Sequence, residues 1–297
     1  MDQSEGRTGE CFDFTRNDGA LNSLQAISHN GGMTTEQLSA PDAPVLHHRD
    51  ARGVHTLTLN DPASFNTLSE AVMGLLQQAL QRVADDEQAR VVVLAAAGKA
   101  FCAGHNLKEM RAQPQLAYYQ QLFAQCSRMM LSIQNLPVPV IARVQGIATA
   151  AGCQLVAQCD LAVAVNTARF GVNGIDVGLF CATPSVPLSR NIGAKQAMEM
   201  LLTGEFLDAH QAQQQGLVNR VTPSEGLDTE VERLVTAVLS KPREAVRMGK
   251  ALFYQQREMG LEAAYQLAGQ TMACNMAHPV AQEGVQAFIE KRKPQWP

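Results

Sequence analysis

The sequence predicts an α/β core followed by a helical C-terminal region, and three observations carry that prediction. Strand-sized apolar runs alternate with segments of helical period between Val45 and Val165, the arrangement of strands interleaved with helices. After about Pro184 the helical period continues alone. Residues Met1 to Pro44 follow neither pattern: they are polar, carry Gly19, Gly31 and Gly32, and show no sustained apolar period. Residues 1–44 are therefore expected to form a disordered tail, 45–205 the core and 206–297 the helical region. Met33 offers an alternative natural start, which would place residues 1–32 outside the natural protein.

Within the core, Val45–His48 and Val54–Leu59 read as two strands split by Asp50-Ala51-Arg52-Gly53, a hairpin signal. Ser69 is placed to cap a helix that runs to about Asp85, with Val72, Leu75, Leu76, Ala79, Leu80 and Val83 at helical spacing. Val91–Ala95 is a buried strand, bounded by Arg90 and the Gly98-Lys99 turn. A long amphipathic helix spans Leu116–Leu136 and stops before Pro137. Val140–Val144 is a strand, Ala150–Cys159 a small-residue helix and Leu161–Val165 a further buried strand. Helices are then predicted over Lys195–Thr203, Asp208–Gln215, Thr229–Leu239, Glu244–Phe253, Leu261–Met276 and Val280–Lys291.

Composition narrows the function. No apolar run reaches the roughly 18–20 residues of a membrane span, so no membrane association is expected. The net charge of −4 and pI near 6.0 offer no broad basic face for nucleic acid. The 7 cysteines form no CxxC pair, and no histidine cluster has zinc spacing, so no metal is expected. Cys126, Cys153 and Cys159 lie in apolar stretches and read as reduced core thiols. The N-terminus has no apolar secretion segment, and Asp2, Glu5, Glu10 and Asp13 argue against an acid-poor mitochondrial presequence. A cytoplasmic protein is expected.

Two glycine-containing turns carry the chemistry. Lys99-Ala100-Phe101-Cys102-Ala103-Gly104-His105-Asn106-Leu107 follows a buried strand and has little bulk around Gly104. Such a turn can present backbone N–H groups to a ligand; a plain strand-to-helix connection would read the same way. In Val144-Gln145-Gly146-Ile147-Ala148-Thr149-Ala150-Ala151-Gly152-Cys153-Gln154-Leu155 a strand ends where a helix begins. The first-turn N–H groups of that helix have no internal partner and sit at the positive end of its dipole. Close helix–strand packing would also select the small residues.

Taken together, KAFCAGHNLKEM and VQGIATAAGCQLVAQCDLAVA resemble the two oxyanion segments of the crotonase, or enoyl-CoA hydratase/isomerase, superfamily. TARFGVNGIDVGL, AHQAQQQGLVNRV and EGVQAFIEKRKPQW extend the resemblance from Val45 to Trp296. The ATAAGCQLVA wording is similar to the subgroup of enoyl-CoA hydratase domain-containing protein 3. The resemblance implies a spiral of ββα turns, with C-terminal helices that assemble subunits into a homotrimer or a dimer of trimers. It implies an acyl-CoA substrate, with coenzyme A present only as part of the thioester and no permanently bound cofactor. The oxyanion donors would be the backbone N–H groups of His105 and Ala151. Ala100, Cys102 and Ala103 would meet the adenine end of coenzyme A. Lys291, Arg292, Lys293, Arg49, Arg52 and Lys99 are candidates near its phosphates, since phosphate attracts Lys and Arg.

The resemblance also implies two departures. The hydratases' two glutamates fall on Gln154 and Gly174, and neither can move a proton. A positioned acid or base contributes typically ~10²–10⁴-fold, so conventional hydration is not expected. Asp176, Cys181, Thr183 and the His105 side chain lie in segments expected to border the acyl pocket, and His105 is the best titrating candidate among them. Three readings stay open: an acyl-CoA enzyme that works by enolate stabilisation, a non-catalytic acyl-CoA-binding or scaffold protein, and a conventional hydratase.

Overall fold

The computed structural model describes residues 35–296. It begins with β1 (Thr35–Gln37), β2 (Val45–Asp50), β3 (Val54–Leu59) and α1 (Glu70–Asp85). Next come β4 (Val91–Ala96), β5 (Ala100–Cys102), α2 (Leu107–Ala112), α3 (Leu116–Asn135), β6 (Val140–Val144), β7 (Ile147–Thr149) and α4 (Ala151–Gln158). β8 (Leu161–Val165), β9 (Arg169–Gly171), α5 (Ala182–Asn191), α6 (Ala194–Thr203), β10 (Leu207–Asp208), α7 (Ala209–Gln215) and β11 (Arg220–Thr222) follow. The chain closes with α8 (Leu227–Leu239), α9 (Arg243–Gln256), α10 (Leu261–Ala277) and α11 (Pro279–Ile289).

Local chemistry explains the first of these. At the β2–β3 turn Gly53 N–H donates to the Asp50 carbonyl at 3.0 Å, and the Asp50 carboxylate accepts from Arg52 N–H at 2.8 Å. Ser69 caps α1 by accepting from Val72 N–H at 3.1 Å, which satisfies one of the orphan donors of the first turn. The apolar stripe of α1 (Val72, Met73, Leu76, Ala79, Leu80, Val83) is buried. It packs with α3 against the sheet, and Leu57, Leu59, Leu94, Leu122, Met129 and Ile133 are fully buried in that layer.

The strands form two sheets, a seven-stranded one in the order β1-β2-β3-β4-β6-β8-β11 and a four-stranded one in the order β10-β9-β7-β5. β4, β6 and β8 lie parallel in the large sheet, and β5, β7 and β9 lie parallel in the small one. The β4–β5, β6–β7 and β8–β9 steps thus each contribute a strand to the large sheet, a strand to the small sheet and a helical segment. This is the spiral of ββα turns that the resemblance implied.

Two expectations are corrected. Most of the predicted tail, residues 1–34, lies outside the described residues, but Thr35–Gln37 pairs antiparallel with β2, Thr35 opposite Asp50. The chain after Pro184 is not helical alone: β11 extends the large sheet in parallel with β8, Val221 opposite Ala164, and β10 pairs with β9. Strands of two or three residues are too short to leave a readable period.

A buried polar knot ties α9 to the spiral. Lys250 Nζ donates to the carbonyls of Ile133 (3.0 Å) and Val138 (2.9 Å) and to Asp160 Oδ2 (2.8 Å). Asp160 also accepts from Val140 N–H at 2.7 Å and from Tyr254 Oη at 2.8 Å. Every donor of the ammonium has a partner, which is the condition for burying it.

Candidate active site

The two turns meet because β5 and β7 are neighbours, with Ala100 opposite Ile147 and Cys102 opposite Ala148. Both strands end at the same level. Two glycines let the segments beyond them touch. A Cβ on Gly152 would lie 2.1 Å from the Cys102 carbonyl oxygen, and one on Gly104 would lie 2.9 Å from Ala150 Cβ and 3.2 Å from Ala151 N. Gly104 has φ +87°, a conformation that costs a side chain but not glycine.

Ala151 is the first residue of α4, and the residue before it is held in an unusual state. Ala150 has φ 50° and ψ −119° and makes no side-chain cap, a region that non-glycine residues avoid at a cost of roughly 1–3 kcal/mol. Its N–H donates to the Gly171 carbonyl at 2.9 Å. Helices usually place Ser, Thr, Asp or Asn here to occupy the first amides; alanine leaves them open. Among the described residues, neither His105 N–H nor Ala151 N–H donates to a protein acceptor.

Around them stands a frame that sequence reading missed. Asn66, 1% exposed, donates to the carbonyls of Ala97 and Ala100 at 2.8 and 2.9 Å. Ala103 N–H donates to the Phe65 carbonyl, and Leu68 N–H to the Gly104 carbonyl. Gln145 Nε2 reaches the carbonyls of Gly98 (3.1 Å) and Ala100 (2.9 Å). Thr149 Oγ1 donates to Asn173 Oδ1 at 2.5 Å, joining β7 to the turn that holds Gly174. The only sequence signal for these was a polar side chain beside an apolar strand, which is too common to single them out.

The side chains of the site are neutral. The His105 ring stands edge-on to Phe123, centroids 5.6 Å apart, and its Nδ1 lies 3.4 Å from the Leu68 carbonyl. A carbonyl only accepts, so Nδ1 carries the hydrogen and Nε2 a bare lone pair. That Nε2 is buried without a partner among the described residues, as is Oε1 of Gln154, a residue 4% exposed. Burial lowers the pKa of His105, partly offset by its bond to Leu68. Burial pushes the thiols of Cys102 and Cys153 up to about 12.

At Gly174 the space beside the backbone is occupied rather than open. A Cβ there would lie 2.4 Å from the Leu179 carbonyl oxygen and 2.8 Å from Cys181 Sγ, and Gly174 N–H donates to that sulfur at 3.3 Å. Asp176 is exposed, with its carboxylate against Gly204. Thr183 lies in the first turn of α5.

Of the expected coenzyme contacts, the Ala100 carbonyl already accepts from two donors, and the Ala103 N–H is bonded to Phe65. Lys99 sits over the Phe65 ring at 5.2 Å. Arg49 pairs with Asp86, Arg52 with Asp50 and Glu232, and Arg292 with Glu283 and Glu290. Lys291 and Lys293 are exposed beyond α11. A cavity of about 570 Å³ lies elsewhere, between the large sheet and α8, lined by Thr56, Thr58, Ala95, Arg143 and Asp228 among others; neither of the two glycine-containing turns borders it. Among the described residues no group of His, Cys, Asp and Glu could hold a metal, and no helix is long and apolar enough to cross a membrane.

Residues 49–297 match a family model described as Enoyl-CoA hydratase/isomerase. The chain is 44% identical over 253 residues to the mitochondrial enoyl-CoA hydratase domain-containing protein 3 of Xenopus laevis, covering 85% of this chain and 86% of that protein. A crystal structure of an enoyl-CoA hydratase from Mycobacterium smegmatis superposes with TM-score 0.85 at 62% identity, covering 86% of this chain and 99% of that one. The human enoyl-CoA hydratase domain-containing protein 3 superposes with TM-score 0.82 at 43% identity, covering 86% and 100%. These names correct one expectation. The Xenopus and human relatives are named mitochondrial, so the cytoplasmic location drawn from N-terminal composition does not stand. That inference rested on residues 2–13, which lie outside the described residues.

Proposed function

The chain belongs to the enoyl-CoA hydratase/isomerase family, and we propose that it is an acyl-CoA enzyme that stabilises a thioester enolate between the N–H groups of His105 and Ala151. The observation that carries this reading is the pair of unoccupied backbone donors on two segments that touch at Gly104. When the α-carbon of a thioester loses its proton or a leaving group, charge collects on the carbonyl oxygen. Fixed donors aimed at that oxygen stabilise it, and losing one typically costs ~10²–10³ in rate. The strain held at Ala150 fits a segment shaped for function rather than for stability.

Conventional hydration is not part of the proposal. Gln154 and Gly174 stand where the family's glutamates fall by resemblance, and the crowding beside Gly174 leaves no room for a longer side chain without movement of 179–181. Isomerisation, decarboxylation, thioester hydrolysis and retro-aldol cleavage remain the reaction classes the site can serve. Coenzyme A enters only with the substrate. The exposed apolar residues of α10 and α11 (Leu261, Tyr265, Met272, Phe288, Ile289) support a homotrimer or dimer of trimers, which light scattering would test.

Mass spectrometry of saturated, enoyl, malonyl-type and hydroxyacyl-CoA esters incubated with the protein in D₂O tests the function. α-Deuteration, CO₂ loss, double-bond migration or CoA release is the expected result. Binding of the esters with no change in any of them would instead establish the acyl-CoA-binding or scaffold reading, which the missing carboxylates favour.

A further inference from the structure

We propose that His105 Nε2 is the general base of this site, the atom that takes the α-proton of the bound acyl group. The inference rests on the acyl-CoA reading above and names a proton acceptor where the family's carboxylates are missing. Three buried side-chain acceptors at the site lack a partner among the described residues, His105 Nε2, Gln145 Oε1 and Gln154 Oε1. An unpartnered buried polar atom is costly, so each points to something that arrives with the substrate. The two amide oxygens can accept a hydrogen bond but not a proton near neutral pH. The imidazole nitrogen can take both.

The other titratable candidates fall away. Asp176 is exposed and lies against Gly204. Cys181 Sγ is engaged by Gly174 N–H, and burial raises its pKa. Cys102 and Cys153 are raised to about 12 by burial. His105 is also the side chain whose orientation is fixed: Leu68 holds the hydrogen on Nδ1 and Phe123 stands edge-on to the ring, so the lone pair on Nε2 is set before substrate arrives.

The proton transfer balances without a co-reactant. The α C–H bond breaks and its electron pair moves into the enolate, with the charge on the thioester oxygen between the two N–H groups. The proton forms an N–H bond on Nε2, and the imidazolium returns it to the α-carbon, or to the γ-carbon in an isomerisation. One residue thereby acts twice: its main chain holds the oxygen and its side chain holds the proton. No charged side chain contributes to the shift of His105. On the flanking elements, Glu109 of α2 accepts from Glu70 N–H, and Glu70 of α1 accepts from Tyr118 Oη. Lys108 and Arg111 are exposed on α2, Arg128 of α3 lies more than a turn beyond Phe123, and α4 carries no charge.

The test is α-proton exchange of butyryl-CoA in D₂O, followed by mass spectrometry across pH 4.5–8.5 with wild type, H105Q and H105A. Wild type should exchange, with an acid limb centred below 6.5, because the buried ring must be neutral to act. H105Q should lose ~10²–10⁴-fold while its Kd for the ester stays unchanged, since the backbone donor remains. Imidazole added to H105A should restore part of the rate. Wild-type exchange centred at or above 6.5, no wild-type exchange at all, or H105Q exchanging at the wild-type rate would each overturn the assignment. If both variants fail to fold, the wild-type profile alone decides. Failure of wild type to bind any CoA ester would sink the acyl-CoA reading itself, whereas binding with exchange indifferent to His105 sinks only the base.

Discussion

Replacing Gly104 by alanine tests the link between close packing and the proposed oxyanion donors. The substitution has two costs that can be separated. The first is conformational: φ is +87°, and holding an L-residue in a left-handed conformation costs about 1–2 kcal/mol. The second is steric. The new methyl would lie 2.9 Å from Ala150 Cβ and 3.2 Å from both Ala151 N and the Thr149 carbonyl oxygen. Two of those three atoms are backbone, so relief requires the start of α4 to move, and overpacking of this kind costs roughly 1–3 kcal/mol. Gly178→Ala provides the control, because its φ is +78° and nothing lies within 4 Å of its Cβ position. Gly178→Ala is expected to cost about 1–2 kcal/mol, and Gly104→Ala about 2–5 kcal/mol. At roughly 2–4 °C per kcal/mol for a chain approaching this size, calorimetry should resolve the two. Movement of Ala151 N–H out of hydrogen-bond range should also cut turnover by up to ~10²–10³, with Gly178→Ala active. Equal melting temperatures for the two variants, with full activity in Gly104→Ala, would refute the reasoning.

Other outcomes follow from the same geometry. Ala150→Gly should raise the melting temperature by a few degrees by releasing about 1 kcal/mol of backbone strain; a fall on thermal unfolding would show that the methyl contact with Gly104 matters more. Gln154→Glu places a carboxyl at a position 4% exposed, where burial raises its pKa. The variant's stability deficit should therefore be small near pH 4 and grow as pH rises through the unfolded-state pKa; urea melts at pH 5 and 8 with no difference in deficit would contradict this. His47 is 1% exposed, and burial, then repulsion from His55, lowers its pKa to about 3. Its contribution to stability is full above about 6.5 and is lost as pH falls towards 3, by up to about 1.4 kcal/mol per pH unit. Denaturant unfolding at pH 7.5 and 5.5 should show that loss in wild type and a smaller one in His47→Gln.

Much of the fold was legible along the chain. The β2–β3 hairpin, the Ser69 cap, the stripe on α1 and the buried run of β4 are local patterns, and local backbone preference together with one-sided burial suffices to specify them. The two glycine-containing turns were legible for the same reason, since small residues between a strand and a helix are a local signature. Asn66 and Gln145 were not, because both act on Ala100 across 34 and 45 residues. β5, β7, β10 and β11 were not, because strands of two or three residues exist only when a neighbouring strand supplies their hydrogen bonds. Gly174 shows the same division: the sequence reveals a missing side chain, but only the packing of Leu179 and Cys181 reveals that the space is filled. The sequence by itself determined the longer strands and helices, and marked the two small-residue turns as candidates for exposed amides. Tertiary structure decided that those turns touch, that His105 presents Nε2 rather than Nδ1, and that Arg49, Arg52 and Arg292 are taken up by carboxylates. The physical reason is that propensity and periodicity act between neighbours in the chain, whereas steric contact, tautomer choice and ion pairing depend on atoms brought together only when distant segments pack.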